Sequence, residues 1–400
     1  MRVLMFTDTY HPQVNGVAAC VRTLAESLSS HGHSVMVCTA LARRDRLARL
    51  ATTENRFPVI YARAVAVPLC SDIRIAAPVS LEIGRIARRF HPDIIHCHTP
   101  FSIGWQGIQI SNTLNIPLLG THHTLFGEYV TAYSRLGHEI NTRLAAWVRR
   151  YVATFYNLCD MTSSASRFLA RDLGSSGLKR PLTIVPNPVD ICRFQPRASK
   201  SFWLRSDCRL VYCGRLAGEK NLHQLVTFVE PFLRRHSHAT LEIIGGGPAL
   251  PSLWNMTRER RLLDQIRFLG WLQGDALVQR IASADIFVCA SLTENQPVSV
   301  LESLACGVPV VALAAGGIPE IITDGEDGFL IEPTHAASQF AERLEQLTKD
   351  PALLLKMSQQ ATATAAHYST AACLQATLAT YHQTISVACG RQTPRAAPSF

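Results

Sequence analysis

The chain has 400 residues, of which 47% are hydrophobic and 17% are charged. This composition excludes a disordered chain, and the length exceeds what one hydrophobic core usually supports, so we expect two domains. No apolar run approaches the roughly 20 residues that a membrane-spanning helix needs.

The formal net charge is +9, and most of it lies in the first half of the chain. Residues 1–190 contain 20 Lys and Arg against 12 Asp and Glu. This excess predicts an acidic partner, for which anionic lipid, a phosphorylated acceptor and nucleic acid all fit electrostatically. Nucleic acid is not expected, because no helix-turn-helix, RNA-binding signature or zinc finger accompanies the charge.

The 12 cysteines are scattered singly, and no Cys-x-x-Cys pair occurs. Small, buried, reduced thiols in a cytoplasmic protein fit this pattern better than a disulfide framework or a zinc site. The first residues read as a β-strand that reaches Asp8 at once, rather than as a signal peptide.

Short apolar runs alternate with longer amphipathic runs along the first half of the chain. The alternation predicts strands and helices in turn, and therefore a parallel sheet that is covered on both faces. The predicted strands span residues 3–6, 34–39, 94–97, 117–120 and 161–163, and the predicted helices span residues 17–30, 79–89, 103–114 and 141–156.

The alternation stops where Pro186 and Pro188 bracket Asn187, and it then restarts. Prolines favour an extended segment here, so we interpret it as a linker. The predicted strands beyond it span residues 209–213, 240–244, 265–268, 286–289 and 308–312, and the helices span residues 222–235, 275–283, 297–306, 336–347 and 370–387.

This pattern predicts an α/β protein with two doubly wound parallel-sheet domains of Rossmann type. The first domain covers residues 1–185 and the second covers residues 186–368. A helix of residues 369–389 could cross back to the first domain, and residues 390–400 read as a disordered tail. Two such halves are expected to hold a ligand in the cleft between them, facing the carboxyl ends of both sheets.

The densest chemical signal follows the predicted strand at residues 286–289. Glu294 lies in the loop and Glu302 lies eight residues further on, while Pro297 fits the first turn of a helix. Backbone N–H groups of Gln296 to Ser299 would form a site for a diphosphate or a sugar hydroxyl. Glu302 would accept hydrogen bonds from ribose hydroxyls. The alternative, an ordinary helix with Glu302 as a surface carboxylate, stays open on these residues alone.

The spacing of the two glutamates, followed by the run Leu-Glu-Ser-Leu-Ala-Cys-Gly-Val-Pro-Val-Val-Ala, resembles the donor-binding motif of family 4 retaining glycosyltransferases of GT-B fold. Further matches occur in the same order between residues 2 and 335, which covers nearly the whole chain. They comprise residues 6–17, 93–98, 120–124, 185–190, 214–221, 245–248 and 324–329. The resemblance implies two Rossmann-like domains with a cleft between them.

The resemblance also implies roles for single residues. Arg215 and Lys220 match the basic pair that holds the donor diphosphate and stabilises the departing nucleotide, which two cations can do without magnesium. Glu302 matches the glutamate that binds ribose, and Glu294 matches the acid near the hydroxyls of the transferred sugar. The remaining residues expected at the donor are Gly16, Asn295, Gln296, Pro297 and Val298.

An active-site histidine follows a strand in this family, in a Thr-x-His pattern. His123 matches it best and would contact the transferred sugar, with His122 as a rival by one residue. His96 and His98 fall on one face of a strand, so the four histidines suggest a metal cluster. We reject a metal site, because no acidic or cysteine ligands accompany them at suitable spacing and the family is metal-independent.

The first domain is expected to bind the acceptor, and it carries two basic amphipathic stretches, residues 42–50 and 141–151. The second stretch contains Trp147, and the pair suggests docking on an anionic lipid leaflet. A solvated helix face with Trp147 pointing into the core is the alternative. Residues 121–129 also resemble the branch that glycosylates diacylglycerol. Asn295 and Gln296 stand where many members have Phe-Gly, which leaves the donor sugar open.

We therefore expect a hexosyltransferase that uses a nucleotide diphosphate sugar of the UDP-glucose or GDP-mannose type, with retention and no cofactor. A membrane glycolipid or a surface polysaccharide precursor would be the acceptor, and the enzyme would be cytoplasmic or peripheral on the inner face of the membrane. One alternative is a nucleotide-sugar hydrolase or epimerase of the same fold. Another is a non-catalytic sugar-nucleotide-binding scaffold, which would more readily have lost Arg215, Lys220 or Glu302.

Overall fold

A computed structural model describes residues 1–11, 13, 15–42, 56–67, 70–77, 79–128, 138–196 and 207–390. The chain forms two compact units. The first unit comprises Met1–Pro188 and Thr370–Phe400, and the second is the continuous segment Val189–Ser369. The second unit begins at Val189 because its N–H donates to the carbonyl oxygen of Tyr368 at 2.8 Å, which closes that segment on itself.

The first unit contains an eight-stranded sheet in the order β4-β3-β2-β1-β5-β6-β7-β8. Neighbouring strands of this sheet pair in parallel, except for β3 and β4, which are antiparallel. The strands are β1 Arg2–Thr7, β2 Ser34–Ala42, β3 Val59–Val67, β4 Cys70–Ala76, β5 Ile94–Cys97, β6 Leu118–His122, β7 Met161–Ser164 and β8 Leu182–Ile184. Strands β3, β4 and β8 are absent from the sequence prediction.

The described part of the first unit's N-terminal segment contains five helices. They are α1 Gly16–Ser30, α2 Leu81–Phe90, α3 Ser102–Leu114, α4 His138–Asn157 and α5 Arg167–Ser175. Side-chain caps explain where several begin: the Asn15 side chain accepts a hydrogen bond from the N–H of Ala18, and Ser166 accepts one from Leu169. Such caps satisfy amide donors that the first turn of a helix leaves without partners.

The second unit contains a six-stranded parallel sheet in the order β11-β10-β9-β12-β13-β14. Its strands are β9 Arg209–Cys213, β10 Thr240–Ile244, β11 Ile266–Gly270, β12 Ile286–Cys289, β13 Val310–Leu313 and β14 Gly328–Ile331. Its helices are α6 Leu222–Arg235, α7 Leu250–Glu259, α8 Gly274–Ser283, α9 Val298–Ala305, α10 Ala336–Lys349 and α11 Pro351–Ala366. Strand β14 and helices α7 and α11 are absent from the sequence prediction.

The core of the second unit lies on both faces of its sheet. Leu210 packs with Phe232 and Phe340 on one face, whereas its neighbour Val211 packs with Phe287 on the other. Successive side chains of a strand point to opposite faces, so a strand that is buried on both sides reads as a continuous apolar run.

The last helix, α12 Thr370–Cys389, belongs to the first unit. It places Leu374 and Tyr381 in the same buried cluster as Val21 and Leu24 of α1. The residues beyond Gly390, where the sequence predicts a disordered tail, lie outside the described residues. Across the described part of the chain, no helix is long and apolar enough to cross a bilayer, and the cysteines whose side chains are described are all free thiols.

Candidate functional site

The turn after β9 carries the two predicted phosphate-binding cations. It continues into a short 3₁₀ helix, Gly218–Lys220, which ends at Asn221 in the left-handed region with φ +55°. Asparagine is among the side chains that tolerate this conformation best. The Nδ2 atom of Asn221 donates to the carbonyl oxygen of Ala290 at 3.0 Å, which fixes the turn against the end of β12.

Each of the two cations contacts a carboxylate of the same unit. The Nζ atom of Lys220 lies 2.7 Å from Oε1 of Glu294, and Nη2 of Arg215 lies 2.6 Å from Oε1 of Glu219. The four side chains are largely buried, with 6% to 23% of their surface exposed. The negative charge of a bound diphosphate would interact with two cations that these carboxylates hold in position.

The loop that carries Glu294 is held by backbone contacts. The N–H of Gly317 donates to the carbonyl oxygen of Glu294 at 2.8 Å. Gly316 lies at φ +63°, and a Cβ atom there would come within 2.2 Å of that same oxygen, so this approach requires glycine. The structure therefore brings Lys220 and Glu294 together from the loops after two adjacent strands.

Helix α9 begins one residue later than the sequence predicts. Pro297 has φ −68° and ψ 118° and is the cap residue, so its prediction as part of the first turn is wrong. A ψ of this size is extended backbone, and the helix starts at Val298. Gln296 is buried, whereas Asn295 is partly exposed. The contact of Asn295, Gln296, Pro297 and Val298 with a donor stays a prediction.

Glu302 lies on α9 and is partly buried. Burial raises the pKa of its carboxyl group to about 8, and the positive charge of Arg193 opposes this shift. The same neighbourhood includes the thiol of Cys213 at the end of β9, whose pKa is raised by burial and by the charge of Glu302. Glu302 is therefore a desolvated carboxyl group and not an exposed surface carboxylate. Hydrogen bonds from hydroxyl donors would stabilise its ionised form.

Residues 245–248, one of the matches to the family, lie in the tight turn between β10 and α7. Gly245 has φ +134°, and a Cβ atom there would lie 1.9 Å from the carbonyl oxygen of Gly214. The loops after β9 and β10 therefore touch through their backbones. A Cβ atom at Gly246 would meet the indole nitrogen of Trp271 at 2.7 Å.

In the first unit, the two candidate histidines point to different surroundings. His122 is the last residue of β6, is 1% exposed and packs edge-on against Tyr156 at 5.2 Å between ring centroids. His123 follows the strand, is partly exposed and lines a cavity of about 30 Å³ together with His96 and His98. This placement favours His123 over His122 as the residue that can meet a ligand.

The four histidines do not form a metal site in this structure. His96 uses both ring nitrogens, at 2.9 Å to Oη of Tyr381 and at 2.6 Å to Oγ1 of Thr121. Among the residues that the structure describes, no group of three or more His, Cys, Asp or Glu side chains is arranged to hold a metal ion.

Gly16 and Asp8 lie near the end of β1. A Cβ atom at Gly16 would meet no atom within 4 Å, so packing inside the first unit does not require glycine there.

Asp8 is buried and accepts hydrogen bonds from Oγ1 of Thr99 at 2.6 Å, Oγ of Ser102 at 2.7 Å and the N–H of Ile103 at 2.9 Å. Burial raises the pKa of Asp8 while these hydrogen bonds oppose the shift. Asp8 lies in the motif of residues 6–17 without a predicted role, and its carboxylate anchors the start of α3.

Helix α4 carries the second of the two basic stretches. Trp147 is 62% exposed and stacks on Tyr151 at 5.9 Å, so the alternative in which Trp147 points into the core is wrong. Arg143 and Arg150 are also exposed. Residues 143, 147 and 150 are spaced so that they share one helix face. The first basic stretch, residues 42–50, lies outside the described residues except for the end of β2.

Solved structures resemble this chain over nearly its whole length. HepE from Anabaena, crystallised with UDP, superposes with a TM-score of 0.74 at 18% identity, and covers 96% of this chain and 100% of its own. A sucrose-phosphate synthase from Thermosynechococcus elongatus gives a TM-score of 0.76 at 19% identity, covering 96% of this chain and 99% of its own. With its two parallel-sheet units, the protein has the GT-B fold of glycosyltransferases, as the sequence predicts.

Two family models divide the chain between them. The model "Glycosyltransferase Family 4" matches residues 14–193, and the model "Glycosyl transferases group 1" matches residues 200–364. An alpha-monoglucosyldiacylglycerol synthase from Streptococcus pneumoniae is 28% identical over 84% of this chain and 76% of its own. A GDP-mannose-dependent alpha-mannosyltransferase from Corynebacterium glutamicum is 29% identical over 83% and 77%. The chain belongs to the family 4 glycosyltransferases and is a hexosyltransferase.

Proposed function

We propose that this enzyme transfers a hexose from a nucleotide diphosphate sugar to a hydroxyl group of a membrane glycolipid or of a surface polysaccharide precursor, with retention at the anomeric carbon. The observation that carries the proposal is the pair of ordered cations, Arg215 and Lys220, in the turn after β9. The names of the relatives support it, since one is a glucosyldiacylglycerol synthase and another depends on GDP-mannose. UDP-glucose and GDP-mannose are the proposed donor types.

The cations act on the leaving group. As the bond between the anomeric carbon and the diphosphate oxygen breaks, negative charge develops on that phosphate. Arg215 and Lys220 stabilise this charge without a metal, because their side chains are already held in place. The acceptor oxygen forms its bond to the anomeric carbon from the same face, and its proton passes to an oxygen of the departing phosphate.

Other residues orient the donor. Glu302 accepts hydrogen bonds from the ribose hydroxyls, and Glu294 accepts them from hydroxyls of the transferred sugar. Asn295, Gln296, Pro297 and Val298 contribute backbone and side-chain contacts at the start of α9, where unpaired N–H groups favour anions and hydroxyl oxygens. Gly16 and His123 of the first unit also help to orient the donor, and His123 contacts the transferred sugar.

The proposed acceptor is a lipid that is held at an anionic membrane surface. The face of α4 with Arg143, Trp147 and Arg150 combines exposed cations with an exposed aromatic ring. Side chains of this kind favour the boundary between lipid headgroups and acyl chains. The proposal places the enzyme peripherally on the inner face of the membrane.

The test begins with donor binding by the purified full chain, compared for UDP-glucose, UDP-N-acetylglucosamine, UDP-galactose and GDP-mannose by thermal shift. The preferred donor, labelled in its sugar, is then incubated with vesicles that contain diacylglycerol or glycosyldiacylglycerol. Transfer of label to the lipid, with an anomeric coupling constant that matches the donor, supports the proposal. Release of free hexose without acceptor would instead indicate a hydrolase. Donor binding without any turnover would indicate a scaffold.

A further inference from the structure

His98 and His123 are joined by a hydrogen bond between two imidazole rings. The Nδ1 atom of His98 lies 3.1 Å from Nε2 of His123, and the rings are stacked with 5.4 Å between their centroids. Both rings are neutral near pH 7, because burial lowers the pKa of His98 well below its usual value and lowers that of His123 to about 4. A hydrogen bond between two neutral imidazoles contains one proton, so one ring donates and the other accepts.

The second nitrogen of His98 decides which ring donates. Its Nε2 atom is buried and has no hydrogen-bond partner among the described residues. If Nδ1 of His98 accepted, the proton would sit on this Nε2 and leave a buried N–H without an acceptor. Orphaned buried N–H groups are rarer than under-used acceptors. The less costly arrangement puts the proton of His98 on Nδ1, from which it is donated to His123.

The side chain of His98 also has a fixed neighbour. Its ring packs against the ring of His96 at 3.9 Å between centroids. His96 is 2% exposed, and both of its nitrogens are engaged, one by the hydroxyl of Tyr381 on α12 and one by Thr121 on β6. The ring of His98 is therefore packed against the immobilised ring of His96 while it contacts His123.

We propose that His98 is a positioning residue that donates from Nδ1 to Nε2 of His123 and thereby fixes His123 as a neutral imidazole with its proton on Nδ1. Two consequences follow. Nε2 of His123 is occupied and does not accept the proton of the acceptor hydroxyl. Any hydrogen bond that His123 makes through Nδ1 is one in which the imidazole donates. His123 then acts as a donor to oxygen and not as a general base, an inference that rests on the proposed role of His123 at the sugar.

The tautomer is measured directly on the full chain with ¹⁵N-labelled histidine. Long-range ¹H–¹⁵N spectra separate protonated from unprotonated ring nitrogens, and a His123→Ala variant assigns the signals of His123. We expect Nδ1 protonated and Nε2 unprotonated in His123, and the same in His98. A protonated Nε2 in His123 would overturn the proposal, whatever the activity of the enzyme.

The kinetic test compares two changes at residue 98. His98→Leu removes the donor, and we expect kcat to fall about 10-fold or more while the KM for the donor changes little, because a misplaced side chain costs mainly the transition state. His98→Asn keeps an amide N–H close to the position of Nδ1 and should retain most of the wild-type kcat. Equal losses in both variants, or an unchanged tautomer of His123 in His98→Leu, would contradict the proposal.

Two controls separate positioning from folding and from the proposed function. Cys373→Ala enlarges the same cavity without removing a ring nitrogen and should leave the tautomer of His123 unchanged. If His98→Leu does not fold, the wild-type spectrum and His98→Asn still decide the question. If His123→Ala retains full transferase activity, the proposed contact of His123 with the sugar is wrong, while the spectrum tests the hydrogen bond independently.

Discussion

The ammonium group of Lys220 lies 2.7 Å from Oε1 of Glu294, with 19% and 14% of the two side chains exposed. The contact joins the turn after β9 to the loop after β12. Glu294 therefore holds Lys220 in place, and the carboxylate that we assign to the sugar hydroxyls is held by the same contact. Ordering both groups in advance lowers the cost of assembling them in the transition state.

Replacing Lys220 by Ala should lower kcat by an order of magnitude or more, since one preorganised charge contact to the leaving group is lost. The measurement is the initial rate of sugar transfer at saturating donor. Lys356→Ala, an exposed lysine on α11 of the same unit, serves as the control and should keep the wild-type rate. A Lys220→Ala enzyme that works at nearly the wild-type rate would remove Lys220 from the proposed mechanism.

Glu302 should release a proton when the donor binds. Burial raises its pKa to about 8, so the carboxyl group is mostly protonated at pH 7 in the free enzyme. Ribose hydroxyls bind an ionised carboxylate more strongly than a neutral one, so binding lowers this pKa. Affinity for UDP-glucose should therefore rise with pH up to about 8 and level off above it.

The proton release is read from titration calorimetry of UDP-glucose at pH 7 in buffers of different ionisation enthalpy. Glu302→Gln cannot ionise, so we expect weaker binding, little proton release and a flatter pH dependence. If the wild type and Glu302→Gln release the same number of protons, Glu302 is not the group that titrates.

Removing the aromatic ring of Trp147 should weaken binding to anionic vesicles, because the ring is exposed beside Arg143 and Arg150. Binding should also weaken as salt rises from about 0.05 to 0.5 M, since the salt screens exposed charges. Sedimentation with phosphatidylglycerol vesicles measures both effects. Trp254→Ala is the matched control, an exposed tryptophan of the second unit that stacks with Arg258. Equal binding by both variants would argue against the α4 face.

Chelation of divalent metal should leave the transfer rate unchanged, because the proposed stabilisation of the leaving phosphate comes from Arg215 and Lys220. The measurement is activity after treatment with EDTA and gel filtration. Loss of activity that is restored by magnesium or manganese would show that a metal shares this role.

Most strands in the middle of the two sheets were predictable because they read as short apolar runs, whereas the edge strands β8 and β14 were missed. Strands β3 and β4 were not predictable either, since they lie at an edge of the sheet where Val65 and Ile75 are 75% and 56% exposed, which blurs the apolar pattern. The identities of Lys220 and Glu294 came from the family motif. Their contact could not be predicted from the spacing, because it joins loops that are 74 residues apart. The bond between His96 and Tyr381 spans 285 residues, and no local pattern signals it.

The route of the chain through the two units bears on how the protein is made. The first unit owes part of its core to α12, whereas the second unit is continuous in sequence. On the ribosome, the first eight strands are synthesised and must then wait while the second unit emerges. At about 5–20 residues per second, that delay is roughly 10–40 s. During it, the surface of α1 that Leu374 and Tyr381 later cover stays open to chaperones or to other nascent chains. Docking of α12 is therefore the step that completes the core of the first unit.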